Sequence, residues 1–238
     1  TPITPEARAT EIVLTQNAPP AGFGEVSFPM IDDHLPELSG WHYTVDMEFE
    51  GVFTQVSRQT TGRLKADVWY NQIASSRRVI VETSGDLLGL EEADSYEAVA
   101  LGPDTFLVQD GACLTNAEDD ADIAVSVSAG SLVGVVKEAR ASVILKQRVN
   151  NEEVWRYNVN FDQLNLPGLK LGDNSKILAF AGELWVAPEH DAVIRYYMTV
   201  NKKNAQVFDS LPVTGRLIVR YDLNDVGVQP NISVPFGC

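Results

Sequence analysis

Cysteine is nearly absent: Cys113 and Cys238 are the two in 238 residues, and the second is the last residue of the sequence. Two thiols cannot complete a four-ligand zinc site, and their separation excludes a C-x-x-C redox pair, so they form either a disulfide or two idle thiols. As a disulfide they would close a loop of about 125 residues, contribute on the order of 5 kcal/mol in the chain-entropy model, and imply an oxidising compartment. Basic residues are also few, 18 Lys+Arg against 33 Asp+Glu, for a net charge of -15. A groove that tracks phosphates needs the opposite balance, so nucleic acid is excluded as an expected partner, and anionic membrane surfaces repel the chain. No apolar run reaches the length of a membrane-spanning helix. The sequence starts at Thr1 rather than Met, so a processed or trimmed start is expected.

Catalytic and cofactor motifs are missing too. Gly-x-Ser-x-Gly fails because Ala129 precedes Gly130-Ser131, and neither H-E-x-x-H nor a phosphate-binding G-x-x-x-x-G-K-[ST] occurs. The three histidines, His34, His42 and His190, fall in a Pro-flanked turn, on the polar face of a strand and in a hairpin turn. A metal site from His34 with Asp32 and Asp33 would need three near-adjacent side chains to converge unaided. The acidic run Glu118-Asp119-Asp120-Ala121-Asp122 lacks the spacing of a calcium loop and reads as a solvated surface. Asn231-Ile232-Ser233 fits the glycosylation triplet. No enzyme, metal or cofactor is expected.

What the sequence does contain is alternation. Residues 1–25 carry Pro2, Pro5, Pro19 and Pro20 and read as a flexible tether, with Ile12, Val13 and Leu14 as a local docking point. Asp32 to Leu38 suggests one helical turn ended by Gly40. From Trp41 the period becomes two: Trp41, Tyr43, Val45, Met47 and Phe49 alternate with His42, Thr44, Asp46, Glu48 and Glu50. Comparable segments at 64–70, 78–82, 96–101, 105–109, 141–149, 153–161, 177–187, 192–200 and 216–223 bring the count to about ten strands. Turn signals such as Gly102-Pro103-Asp104, Asn150-Asn151 and Pro188-Glu189-His190-Asp191 join them as antiparallel hairpins.

The phase leaves one face apolar throughout, and such a face needs a cover. Few helices are available for it: Ala129 to Ala139 and a short stretch from Asp86 to Ala93 are the candidates. The residues leave two interiors open, a core packed by its own side chains and a cavity lined by them. With four Trp and seven Tyr in the chain, several on the inner face, the absence of polar chemistry favours an apolar ligand. The expected lining is Tyr43, Val45, Met47, Phe49, Trp155, Tyr157, Val159, Tyr196, Met198, Val219 and Tyr221.

The run Leu38-Ser39-Gly40-Trp41-His42-Tyr43, the segment Gly102-Pro103-Asp104-Thr105-Phe106-Leu107-Val108 leading to Asp110-Gly111-Ala112-Cys113, the later Gly182-Glu183-Leu184-Trp185-Val186-Ala187-Pro188, and Arg220-Tyr221-Asp222-Leu223 before the coda to Cys238 follow one another behind a proline-rich tail. In this order the chain resembles the extracytoplasmic bacterial lipoproteins with the LolA/LppX-type half-barrel, over roughly residues 26–238. The resemblance implies a mainly β (α+β) fold, a strongly curved antiparallel half-barrel of about 10–11 strands with short helices as a partial lid over an apolar cavity for acyl chains. It further implies a monomeric, non-enzymatic protein of the bacterial cell envelope, reaching the membrane only through an N-terminal lipid anchor that the sequence given does not include. The expected partner is a hydrophobic ligand, a lipid or acyl chain. A protein of the envelope whose packed sheet recognises another protein is the alternative, and a hydrolase with an unrecognised site a third reading.

Overall fold

Alternating apolar and polar residues produce strands only where neighbours complete the hydrogen-bond ladder, and here fourteen strands do so in one sheet. The computed structural model describes residues 17–90 and 93–238. The suggested docking point Ile12, Val13 and Leu14 lies outside the described residues. In chain order the strands are β1 (Glu25–Phe28), β2 (Gly40–Phe53), β3 (Gln59–Asn71), β4 (Ser76–Ser84), β5 (Asp94–Leu101), β6 (Asp104–Gln109) and β7 (Ala112–Cys113). After a crossing segment follow β8 (Val135–Val149), β9 (Glu152–Asn158), β10 (Leu164–Asn165), β11 (Leu169–Lys170), β12 (Lys176–Ala187), β13 (Ala192–Val207) and β14 (Val213–Asn224).

Across the sheet the order is β1-β8-β9-β12-β13-β14-β2-β3-β4-β5-β6-β7, with β10 also paired to β8 and β11 to β13. Every pairing is antiparallel. β1 and β7 do not pair with each other, so the barrel stays open. Its shape is a curved half-barrel, because buried residues from β1 and β8 at one side and from β4 near the other belong to one continuous core. The outer face carries the polar phase and ion pairs both between and along strands. Arg63 reaches Asp46 at 2.9 Å, Lys65 reaches Asp67 at 2.7 Å and Arg78 reaches Glu97 at 2.7 Å.

The connection from β7 to β8 runs from one edge of the sheet to near the other and crosses the concave face. It carries α1 (Glu118–Val125), resting on β4, β5 and β6, and α2 (Ala129–Val133), resting on β2 and β14. The acidic run Glu118-Asp119-Asp120 forms the first turn of α1, where carboxylates are favoured by the helix dipole.

Several expected elements differ. The helix expected over Ala129 to Ala139 stops at Val133. Gly134 has φ +91°, and a Cβ there would lie 2.0 Å from Asn165 O, so the chain turns sharply against β10. The β-branched Val135 and Val136 then find ladder partners in β10 and β1. Of the helix expected over Asp86 to Ala93, the described residues form a 3-10 turn at Asp86–Leu88, closed by Gly89 at φ +75°. The turn expected between Asp32 and Leu38 is a 3-10 turn at Leu35–Glu37. The strand expected to reach Phe161 ends at Asn158, and a 3-10 turn occupies Phe161–Gln163.

Beyond β14 the coda folds back along the strand ends. Gly227 N donates to Gly40 O at 2.8 Å and Asn71 Nδ2 to Pro230 O at 2.9 Å. Gly40 has to be a glycine, because a Cβ would meet Val228 O at 2.2 Å. The coda ends in a disulfide between Cys238 and Cys113, so the two thiols are bonded rather than idle. At the other edge, Ala141 N donates to Gly24 O, Tyr157 Oη to Phe23 O and Trp155 Nε1 to Asn17 O, at 3.0, 2.6 and 3.0 Å. These bonds place residues 17–25, the described part of the expected tether, against β8 and β9.

Candidate functional site on the concave face

The eleven residues expected to line the interior all face inward or pack within the main core, and none is more than 7% exposed. β2, β13 and β14 bring eight of them into adjacent rows. Tyr196 pairs with Tyr221 and Tyr221 with Val45; Met198 pairs with Val219 and Val219 with Met47. Trp155 and Tyr157 lie further along the sheet beneath the N-terminal stretch, and Val159 follows β9. The interior is therefore closed around apolar side chains. Depressions of about 320 and 260 Å³ lie instead on the convex face, among Arg216, Arg220, Glu48 and Arg63.

Within this apolar interior sits a short inventory of polar groups. Tyr221 Oη is wholly buried and has no hydrogen-bond partner among the described residues. Tyr196 Oη has only the thioether of Met198 at 3.3 Å, a weak acceptor. Tyr43 Oη lies 3.5 Å from both Val127 O and Arg77 Nη2. Burial pushes all three phenols above their ordinary range. Native structures leave few buried polar atoms unpaired, so a cluster with spare hydrogen-bonding capacity demands an explanation.

The crossing segment is held over this cluster by two charged side chains. Asp32 accepts from Ala129 N and Gly130 N, both at 2.8 Å, at the start of α2. Gly130 allows the approach, since a Cβ there would stand 2.7 Å from the carboxylate. Burial pushes the Asp32 carboxyl above its ordinary value, against the opposing pull of these N–H groups and of Arg77. Arg77, inward on β4, donates to Val127 O at 2.7 Å and lies over the Trp41 ring at 5.5 Å. Asp32 thus serves as a clamp rather than as a metal ligand with Asp33 and His34. His34 instead faces Asp191 at 3.7 Å.

At the other end of the same face is Lys202, 0% exposed. It continues the apolar phase of β13, after Ile194, Tyr196, Met198 and Val200, and shares a cross-strand row with Gly215 and Gly51. Its Nζ donates to Ala205 O at 3.4 Å and lies 4.5 Å from the centre of the Phe49 ring. The ring covers both glycines, whose Cβ atoms would lie 2.7 and 2.9 Å from Phe49 Cζ. Burial pulls the amine down to about 7. Sequence reasoning passed over Lys202 and Arg77. Both were visible as cations on the inward phase, Lys202 after Val200 and Arg77 two residues before Val79 and four before Val81.

The remaining candidates are structural. His42 stacks on Trp69 with ring centroids 4.4 Å apart and lies 3.4 Å from Asp67. Glu152, Glu189 and His190 place ligand-type atoms within 4.8 Å of one another. There His190 Nε2 and Glu152 Oε2, at 3.2 Å, tie the β8–β9 turn to the β12–β13 turn.

No protein-family model matches the chain, and no curated protein matches it. Among solved structures it is similar to LprF from Mycobacterium bovis, with 14% identity, 87% of this chain and 93% of that chain covered, and a TM-score of 0.40. It is also similar to a LolA superfamily protein from Nitrosomonas europaea, with 9% identity, 85% and 93% coverage, and a TM-score of 0.23.

Proposed function

We propose that the protein is a non-enzymatic carrier or receptor for a lipid or acyl chain, working outside the bacterial cytoplasm and holding its ligand on the concave face beneath the crossing segment. One observation carries this reading: unspent polar groups, led by the Tyr221 hydroxyl, are buried in an otherwise apolar interior. That combination suits an amphipathic ligand better than it suits a finished core. The disulfide supports an oxidising compartment. Residues 26–238 would act as one half-barrel unit.

The driving force follows from area. Each methylene buried gives about 0.8 kcal/mol, so ten give roughly 8 kcal/mol before association and ordering costs, enough for micromolar binding with little headgroup specificity from the tail alone. Entry requires part of the cover to move, since the eleven residues are buried as they stand.

The test is titration of the full chain with Nile red, an uncharged dye for apolar sites, in parallel with Val219→Trp. Saturable binding that the substitution abolishes while the protein remains folded supports the reading. If the wild type shows no saturable binding and Val219→Trp instead destabilises by about 1 to 3 kcal/mol, as overpacking does, the interior is a filled core. The protein would then act through its outer surface on another protein.

A further inference from the structure

From the row formed by Lys202, Gly215, Gly51 and the Phe49 ring, we infer that the Lys202 end of the concave face is the headgroup site and takes a carboxylate, making the ligand a free fatty acid or similar monoanionic amphiphile. The inference rests on the lipid-binding reading and names the ligand class within it.

Three observations support it. Lys202 is fully buried, and among the described residues no carboxylate lies within ion-pair distance of its Nζ. An ammonium in such surroundings is costly unless an anion joins it. Second, the groups around Nζ use little of it: one backbone carbonyl at 3.4 Å and the face of Phe49 at 4.5 Å, leaving donors for a further acceptor. Third, the row beyond Lys202 borders a surface cleft. The next cross-strand row is Phe53, Val213 and Ala205, and Ala205 supplies the carbonyl that Nζ touches. Phe53 also lines an apolar cleft of about 160 Å³ between the β2–β3 and β13–β14 turns, with Val56, Leu211 and Pro212, and Val56 and Leu211 are largely exposed.

The geometry also orients the ligand. From Lys202 towards Tyr196 the inward residues of β13 are Val200 and Met198, a distance of about 20 Å along the strand. That length matches one long acyl chain, with its carboxylate beside Lys202 and its tail over Met198, Val219 and Met47. Among the described residues Lys202 is the one fully buried lysine or arginine, and a single ammonium fits a monoanion. A phosphate would call for a forked or multiple cationic contact.

The experiment compares displacement of Nile red from the full chain at neutral pH by dodecanoate and by 1-dodecanol, which share a tail and differ in the head. In the wild type, dodecanoate is expected to compete at about tenfold to a hundredfold lower concentration, the range of one charge-assisted hydrogen bond. In Lys202→Met that preference falls to about one while the alcohol competes as before. Lys202→Arg, which keeps the charge, retains a preference. Equal competition by acid and alcohol in the wild type overturns the headgroup assignment and leaves the lipid-binding reading standing; because it needs no variant, it does not depend on how Lys202→Met folds. A wild-type preference that survives unchanged in a folded Lys202→Met moves the carboxylate elsewhere and also overturns the assignment. No saturable dye binding at all overturns both.

Discussion

Replacing Cys113 and Cys238 together by serine removes the covalent tie between the edge strand β7 and the end of the coda. The cysteines are 125 residues apart, and a loop of that size restricts the unfolded chain by about 5 kcal/mol at 25 °C in the chain-entropy model. The native state gives little of this back, because the coda up to Pro230 is held independently by Gly40, Asn71 and Ser39. For a chain of this size, each kcal/mol corresponds to about 2 to 4 °C, so the midpoint should fall by about 10 to 20 °C. Thermal and urea unfolding of the wild type, the reduced wild type and the double serine variant measure the change. Hydrogen exchange should locate a second effect, with Val108 to Val125 losing protection before β2 and β3 do. β7 contributes only two residues of ladder and α1 leans on the strands it adjoins. A double variant within about 1 kcal/mol of the wild type would refute the loop-closure reasoning. Uniform loss of protection would refute the assignment of the bond to the edge.

Two further predictions concern the buried charges. Asp32→Ala leaves the N–H groups of Ala129 and Gly130 without their carboxylate and should cost about 2 to 3 kcal/mol in urea unfolding, the range for hydrogen bonds to a charged group; a loss below half of that would show that α2 is held by packing alone. Lys202→Met should stabilise the protein at pH 6: with the amine near 7 in the folded state against 10.5, the ammonium costs up to about 5 kcal/mol, of which the Phe49 ring returns about 1 to 2. Between about pH 7 and 10.5 the unfolded chain binds more protons at this site than the native one, so wild-type stability rises with pH and the advantage of the variant shrinks. An advantage that grows with pH would reverse the sign and sink the argument.

The strands were legible because period two is a direct imprint of one buried face. Tyr43 to Phe49 and Leu217 to Leu223 are buried on alternate positions as their phase demands. Strand order across the sheet was not legible. The pairing of β14 with β2 joins residues some 170 positions apart, and no local pattern encodes such a partner. Ala129 to Ala139 misled for a related reason: its helical spacing is real for one turn, but the ladder offered by β1 and β10 claims Val135 onward. At the candidate site, the apolar residues announced themselves and the charged ones did not. Lys202 and Arg77 sit on inward phases where a hydrophobicity pattern registers an interruption, and only the neighbouring strands show that each cation lies over an aromatic ring.

How the crossing segment is attached bears on whether the concave face can open. α2 belongs to the main core, with Ala129 and Val133 buried, and is clamped by Asp32 and Arg77. α1 is held more lightly: its buried residue, Ala121, packs with Ala98 and Leu107, its half-buried Val125 packs against both that cluster and the main core, and Ile123 is left exposed. Lifting α1 forfeits the packing of Ala121 and of half-buried Val125, on the order of one to two buried side chains at about 1.5 to 3 kcal/mol each, whereas lifting α2 also breaks two charge-assisted bonds at Asp32 and the Arg77 contact. With these stabilities, any opening would start from the β7 side, where the disulfide limits how far the segment can travel, and leave it pinned over Tyr43 and Tyr221. The carrier reading proposed above calls for such a difference in stability between the sheet and its cover.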